Sequence, residues 1–148
     1  MAIIKEMHFE ISSHIENLAS AGLSGSDVEK TEISPDGFFK ISDDAYIISY
    51  TEESEGGRIF TDISVSGGEV DLKRRGAVVS DMHFAEGEVH KSEYSVPPYT
   101  FDTVITTKKV RNNLTRAGGR LDLYYEMNIG GQDKKVRMKI EVAPGKQE

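Results

Sequence analysis

The 148-residue sequence contains no cysteine, no tryptophan and only 4 prolines. Without cysteine there is no disulfide framework, no zinc–thiolate site and no thiol nucleophile, which suits a reducing compartment. A long apolar run is also missing. The stretch from Met1 to Glu16 is broken by Lys5, Glu6 and Glu10, so neither a signal peptide nor a membrane span is expected, and the expected location is cytoplasmic. No GxSxG elbow, HExxH pair, phosphate-cradling glycine loop or Ser-His-Asp order can be recognised. No catalytic residue, metal or cofactor is therefore nominated, and a non-enzymatic protein is the first expectation.

With 37% hydrophobic residues and no break in composition, the chain is expected to form one domain over residues 1–148. Its net charge of −7 speaks against nucleic-acid binding, since a phosphate backbone attracts a basic surface. That mean hides an asymmetry: residues 1–100 carry a net −11, whereas residues 101–148 carry +4.

What the sequence has in abundance is a two-residue hydrophobic rhythm. From Ile3 to Glu16 the odd positions are mostly apolar and the even ones mostly polar or charged; Leu121, Leu123, Tyr125, Met127 and Ile129 repeat the pattern, as do Val136, Met138, Ile140 and Val142. Clusters rich in Gly, Pro, Asp and Ser separate such runs, at Ala19–Asp27, Pro35–Gly37, Ser42–Asp44, Glu53–Gly57, Ser66–Gly68, Arg75–Ala77, Ala85–Gly87 and Gly118–Gly119. Pro35-Asp36-Gly37 reads as a turn that sends Phe38–Ile41 in a new direction, Ala45–Glu52, with Tyr46, Ile47, Ile48 and Tyr50, as a strand covered on both faces, and Pro97-Pro98 as a pause in the meander. No stretch has a convincing helical period. About ten short strands in an open sheet would expose two edges, so the expected fold is all-β, a single antiparallel meander closed into a barrel of about 8 to 10 strands. A β-sandwich is the structural competitor.

The segments ISYTEE (Ile48–Glu53), SGGEVDLKRRGAVVSDMHF (Ser66–Phe84) and GRLDLYYEMNIGG (Gly119–Gly131) resemble the YwiB-like family of uncharacterised bacterial proteins, a domain of unknown function with a calycin-like β-barrel. The resemblance covers nearly the whole chain. It implies that the barrel is calycin- or lipocalin-like and, by way of calycins at large, that it takes a small apolar or fatty-acid-like ligand; it carries no established site residue.

The residues themselves single out Arg74. Alternation with Val70 and Leu72 points it inward, where a guanidinium needs a partner, and Glu52, on the face of Tyr46, Ile48 and Tyr50, is the expected acid. Arg74 and Glu52, with Tyr50 and Tyr125, form a candidate site for a small anionic or apolar ligand, or a structural ion pair at a strand end. A barrel hydrolase or isomerase using Glu52, Arg74 and a tyrosine is the enzymatic alternative. His8 and His14 stand about 20 Å apart along a strand and cannot share an ion, while His83 and His90 could meet across a hairpin. The stripe of Lys135, Arg137 and Lys139, with Arg120 and Tyr124, offers a face for RNA or an acidic protein. The rival expectation is that this last strand lies beside the first and pairs with Glu6, Glu10 and Glu16 in a closing charge seam.

Overall fold

Eleven β-strands account for nearly all of the computed structural model, which describes residues 2–18, 27–43 and 45–144. They are β1 (Ile3–Asn17), β2 (Asp27–Ile33), β3 (Asp36–Ile41), β4 (Tyr46–Ser54), β5 (Gly57–Ser66), β6 (Glu69–Gly76), β7 (Val79–Ala85), β8 (Val89–Val96), β9 (Tyr99–Thr115), β10 (Gly118–Ile129) and β11 (Gln132–Pro144). Consecutive strands from β3 to β11 pair as antiparallel neighbours, and β11 pairs back onto β1. Ten strands thus close into a barrel, and β2 lies outside the closed circuit, hydrogen-bonded to β1. The proposed loop at Ala19–Asp27 lies outside the described residues except for Asp27, which opens β2, and Asp44 of the expected turn at Ser42–Asp44 also lies outside them.

The chain does not turn at Pro35-Asp36-Gly37. β2 and β3 both run antiparallel to β1 in a single register, Ile33 opposite Ile11 and Ile41 opposite Ile3. They are one strand interrupted at Ser34-Pro35. The Phe9 amide still donates to the Pro35 carbonyl at 2.9 Å, but proline has no N–H to return the bond, so the ladder is broken there without a change of direction. His8 braces the break from outside, its ring nitrogens 2.8 Å from Asp36 and 2.7 Å from Glu10, which in turn accepts from Ser34 at 2.6 Å. A Cβ at Gly37 would run into the Ser49 carbonyl, so a side chain there would push β3 off β4. Two further expectations change. Val96 stands opposite Tyr99, so the cis Pro97–Pro98 bond forms the corner of a tight hairpin and the meander does not pause. The outward-facing Ile47 is only half-buried, so β4 is covered on one face only.

β1 and β11 are direct antiparallel neighbours as expected, yet charge does not close the seam. Glu16 stands opposite Lys135, but Glu10 faces Glu141, Ser12 faces Lys139 and His14 faces Arg137, and among the described residues no ion pair crosses between the two strands. What meets across the seam is apolar: Phe9 with Val142, Ile11 with Ile140 and Ile15 with Val136. One half of the barrel is filled by such side chains, with Phe9, Phe39, Ile48, Ile63, Phe84 and Ile140 all fully excluded from solvent. The other half is hollow.

Burial rather than charge therefore holds the closure. Ile140→Ala should cost about 2–5 kcal/mol in urea unfolding, whereas Glu16→Gln should stay within about 0.5 kcal/mol.

Candidate functional site

Strand register assembles a polar row inside the hollow half. Tyr50 of β4 stands opposite Thr61 of β5, Thr61 opposite Arg74 of β6, Arg74 opposite Ser80 of β7, and Ser80 opposite Tyr94 of β8. Each of these positions continues the inward face of its strand, so five polar side chains cross five neighbouring strands at one level of the barrel. Arg74 and Tyr94, the half-buried members of the row, line a cavity of about 400 Å³, whereas Tyr50, Thr61 and Ser80 are buried and do not line it. Beside Arg74 the lining is mostly apolar, from Ile59, Val78 and Met82 and from Met127, Ile129 and Val136, with Lys134 as a second cation. The cavity is reached where β2 parts from β4, and Thr31 and Glu52 line it from those two strands.

The four sequence-selected residues fall together here, although not as expected. Arg74 and Glu52 both line the cavity with Tyr125, and Tyr50 is buried beside them in the row. The expected Arg74–Glu52 ion pair is absent: among the described residues Arg74 has no carboxylate in ion-pair contact, and its Nη1 donates a long bond to Met82 Sδ at 4.0 Å. The reason is register. Glu52 stands opposite Ile59, one inward position nearer the strand ends than Thr61, which is Arg74's own neighbour.

Two features of the row were not legible beforehand. Thr61 and Ser80, 1% and 5% exposed, bury hydroxyls that lack a hydrogen-bond partner; Tyr50 stands near Thr61, but short of a well-formed bond to it. An unpaired buried hydroxyl costs about 1–3 kcal/mol, and here two flank one guanidinium. The phenols lean the other way. Burial pushes the Tyr125 hydroxyl up to about 12 and raises that of Tyr50, with Arg74 opposing both shifts, so at neutral pH each is a protonated donor.

A second cluster lies outside the barrel. His83 Nδ1 is 2.8 Å from Asp71, and its Nε2 is 3.7 Å from Glu69 and 3.9 Å from Glu88; the rings of His83 and His90 are 5.8 Å apart, as their hairpin allows. Glu69, His83 and Glu88 could each offer one ligand atom to an ion, all within 4.8 Å of one another, but both acids are exposed. The hydrogen bond to Asp71 raises the His83 pKa against the opposing effect of burial.

With this geometry in hand, the chain can be set beside known proteins. A family model described as "Domain of unknown function (DUF1934)" matches residues 14–141. The chain belongs to the DUF1934 family. It is 28% identical over 108 residues to the uncharacterized beta-barrel protein YwiB of Bacillus subtilis (strain 168), covering 73% of this chain and 76% of that protein. The crystal structure of the ywiB protein from Bacillus subtilis shares its fold, with a TM-score of 0.79 over 97% of this chain and 94% of that one at 24% identity. The likeness read from the three sequence segments to the YwiB-like family is thus borne out, and the DUF1934 description assigns no function.

Because the His83 pKa is raised, its clasp with Asp71 contributes stability that is fully present below the unfolded value of about 6.5 and is lost as pH rises through the folded value. Asp71→Asn should return the His83 titration, followed by NMR, toward about 6.5 and remove that part of the pH dependence.

Proposed function

We propose that the protein is a non-enzymatic, cytoplasmic binding protein whose hollow half takes a small organic anion with an apolar body. The observation that carries this reading is an inward guanidinium without a carboxylate partner, set between two buried hydroxyls that lack partners of their own. A carboxylate seated there would receive two parallel bonds from the Arg74 fork, with Tyr94 and Tyr125 as the hydroxyl-bearing residues that line the same cavity. The apolar part of the lining would receive the rest of the molecule. A cavity of about 400 Å³ lies within the size range of small-molecule sites. Glu52 is offset in the lining by Lys134, which leaves the Arg74 charge to be met by a singly charged ligand.

The enzymatic alternative has less support. A general base must reach the proton it removes, and Tyr50 and Tyr125, with their raised pKa values, are donors at neutral pH; Glu52 is not paired with Arg74 to form a working dyad.

Octanoate is a suitable probe. Calorimetry should show it binding the native protein at one site, and Arg74→Met should weaken that binding at least tenfold, as expected on losing a charge-assisted pair, while urea stability changes by less than about 1 kcal/mol. Equal binding by both proteins contradicts the reading. A stability loss of about 3 kcal/mol or more in Arg74→Met marks Arg74 as a structural brace instead.

A further inference from the structure

On the outer surface, register produces a second row. Lys30 of β2 stands opposite His14 of β1, His14 opposite Arg137 of β11, Arg137 opposite Tyr124 of β10, and Tyr124 opposite Lys109 of β9. The five residues cross five strands, a span of about 19 Å at the usual inter-strand spacing. No acid stands in this row. The rows on either side are balanced: Lys135 lies between Glu16 and Glu126, and Lys139 and Arg111 alternate with Asp122. The three cations Lys30, Arg137 and Lys109 alternate with His14 and Tyr124, so no two of them stand directly opposite, and no acid within the row neutralises them.

The row lines a groove of about 740 Å³ on the outside of the barrel, flanked by Lys108, Arg111 and Lys139, with Glu32 and Asp122 as its acids. The surface is thus locally basic in a chain of net charge −7. At its centre the Arg137 guanidinium lies 4.4 Å from the Tyr124 ring centroid, a cation–π stack that presents a flat, charged platform. Lys30, Arg137 and Lys109 have no ion-pair partner among the described residues.

We propose that this groove binds single-stranded nucleic acid, with phosphates tracking the row and a base stacking on the Arg137–Tyr124 platform. A linear cationic track with a stacking element is the chemistry by which β-barrels hold single strands of about 4 nucleotides and more. An acidic protein fits less well, because protein interfaces are anchored by buried aromatic and aliphatic side chains, and the groove offers only Leu123 and Met138 besides the stacked Tyr124. The net charge of the chain does not oppose the proposal, since the groove's field is local and screened beyond about 10 Å. The inference does not rest on the barrel ligand: the groove's row faces outward and the cavity lies inside the wall, although Ser13, Thr31 and Met138 border both.

The test is fluorescence anisotropy of the full chain with a labelled 12-nucleotide oligo(U), run beside oligo(dT) and poly-glutamate. Oligo(U) or oligo(dT) should bind at 50 mM salt, with log K falling against log salt at a slope of about −2 or steeper, as expected for three or more phosphate contacts. Arg137→Gln combined with Lys109→Gln should weaken binding at least tenfold, and Tyr124→Ala several-fold, with unchanged thermal melts. If the Arg137 variant melts early, Lys30→Gln with Lys109→Gln tests the two ends of the row instead. Preference for oligo(U) over oligo(dT) assigns RNA, and the reverse assigns DNA. No oligonucleotide binding at 50 mM salt, binding that the row variants leave intact, or poly-glutamate binding as tightly with Tyr124→Ala silent overturns the proposal, the last in favour of an acidic polypeptide.

Discussion

Everything in this molecule depends on β1 being paired along both edges. On one side it meets β11 from Met7 to Asn17 and closes the barrel; on the other it meets β3 and then β2 in an unbroken register. Closure joins the two ends of the ten-strand circuit, although β4 beyond Ser49 lacks a partner on its β3 side and β7 meets β8 only at Val79 and Ser80; the outlying strand, β2, carries Glu29, Lys30 and Glu32, charges that discourage pairing with another chain. The same arrangement opens the barrel. Because β2 follows β1 and not β4, the wall is incomplete at that point, and the interior behind it is hollow instead of packed.

Two polar rows follow from one register, on opposite faces and different arcs of the wall. The inner row runs through β4, β5, β6, β7 and β8; the outer one runs through β2, β1, β11, β10 and β9. Each sets aside something the fold would otherwise prefer. The inner row buries hydroxyls without partners beside a half-buried guanidinium without a counter-charge, and the outer row sets three cations in one line without an acid among them. Elsewhere the same sheet satisfies most such groups, as in the Ser92–Thr103 hydrogen bond of 2.9 Å and the Ser49–Asp62 bond of 2.6 Å, with the buried Thr107 hydroxyl an exception outside both rows. Unsatisfied groups gathered in two lines are the mark of ligand surfaces more than of structural compromise.

Much of the fold was legible in the sequence because the period of a half-buried strand survives in the side chains: Leu121 to Ile129 and Val136 to Val142 point inward as their spacing predicts. Register was not legible, since it depends on which residue meets which across strands. Closure of β1 onto β11 was therefore anticipated, but the charge seam was not realised, because Glu10 meets Glu141 and not a lysine. Pro35 was misread for a related reason: a proline at one ladder position removes a single bond, and only the register on either side shows that the strand continues. At the site, alternation sufficed to turn Arg74 and Glu52 inward, yet their failure to pair is a matter of one inward step along β4. Thr61 and Ser80 carried no signal in sequence, because a threonine or serine inside a barrel is ordinary until its neighbour is an unpaired arginine.

The central claim is that the hollow half of the barrel is a ligand site built on Arg74. Native mass spectrometry of the protein purified without added ligand tests it most directly. The account predicts a co-purified species of a few hundred daltons or less, bound one per chain and lost in Arg74→Met. A native protein and an Arg74→Met variant that both carry the same species, or a native protein that carries none and takes up no organic acid on incubation, would contradict it.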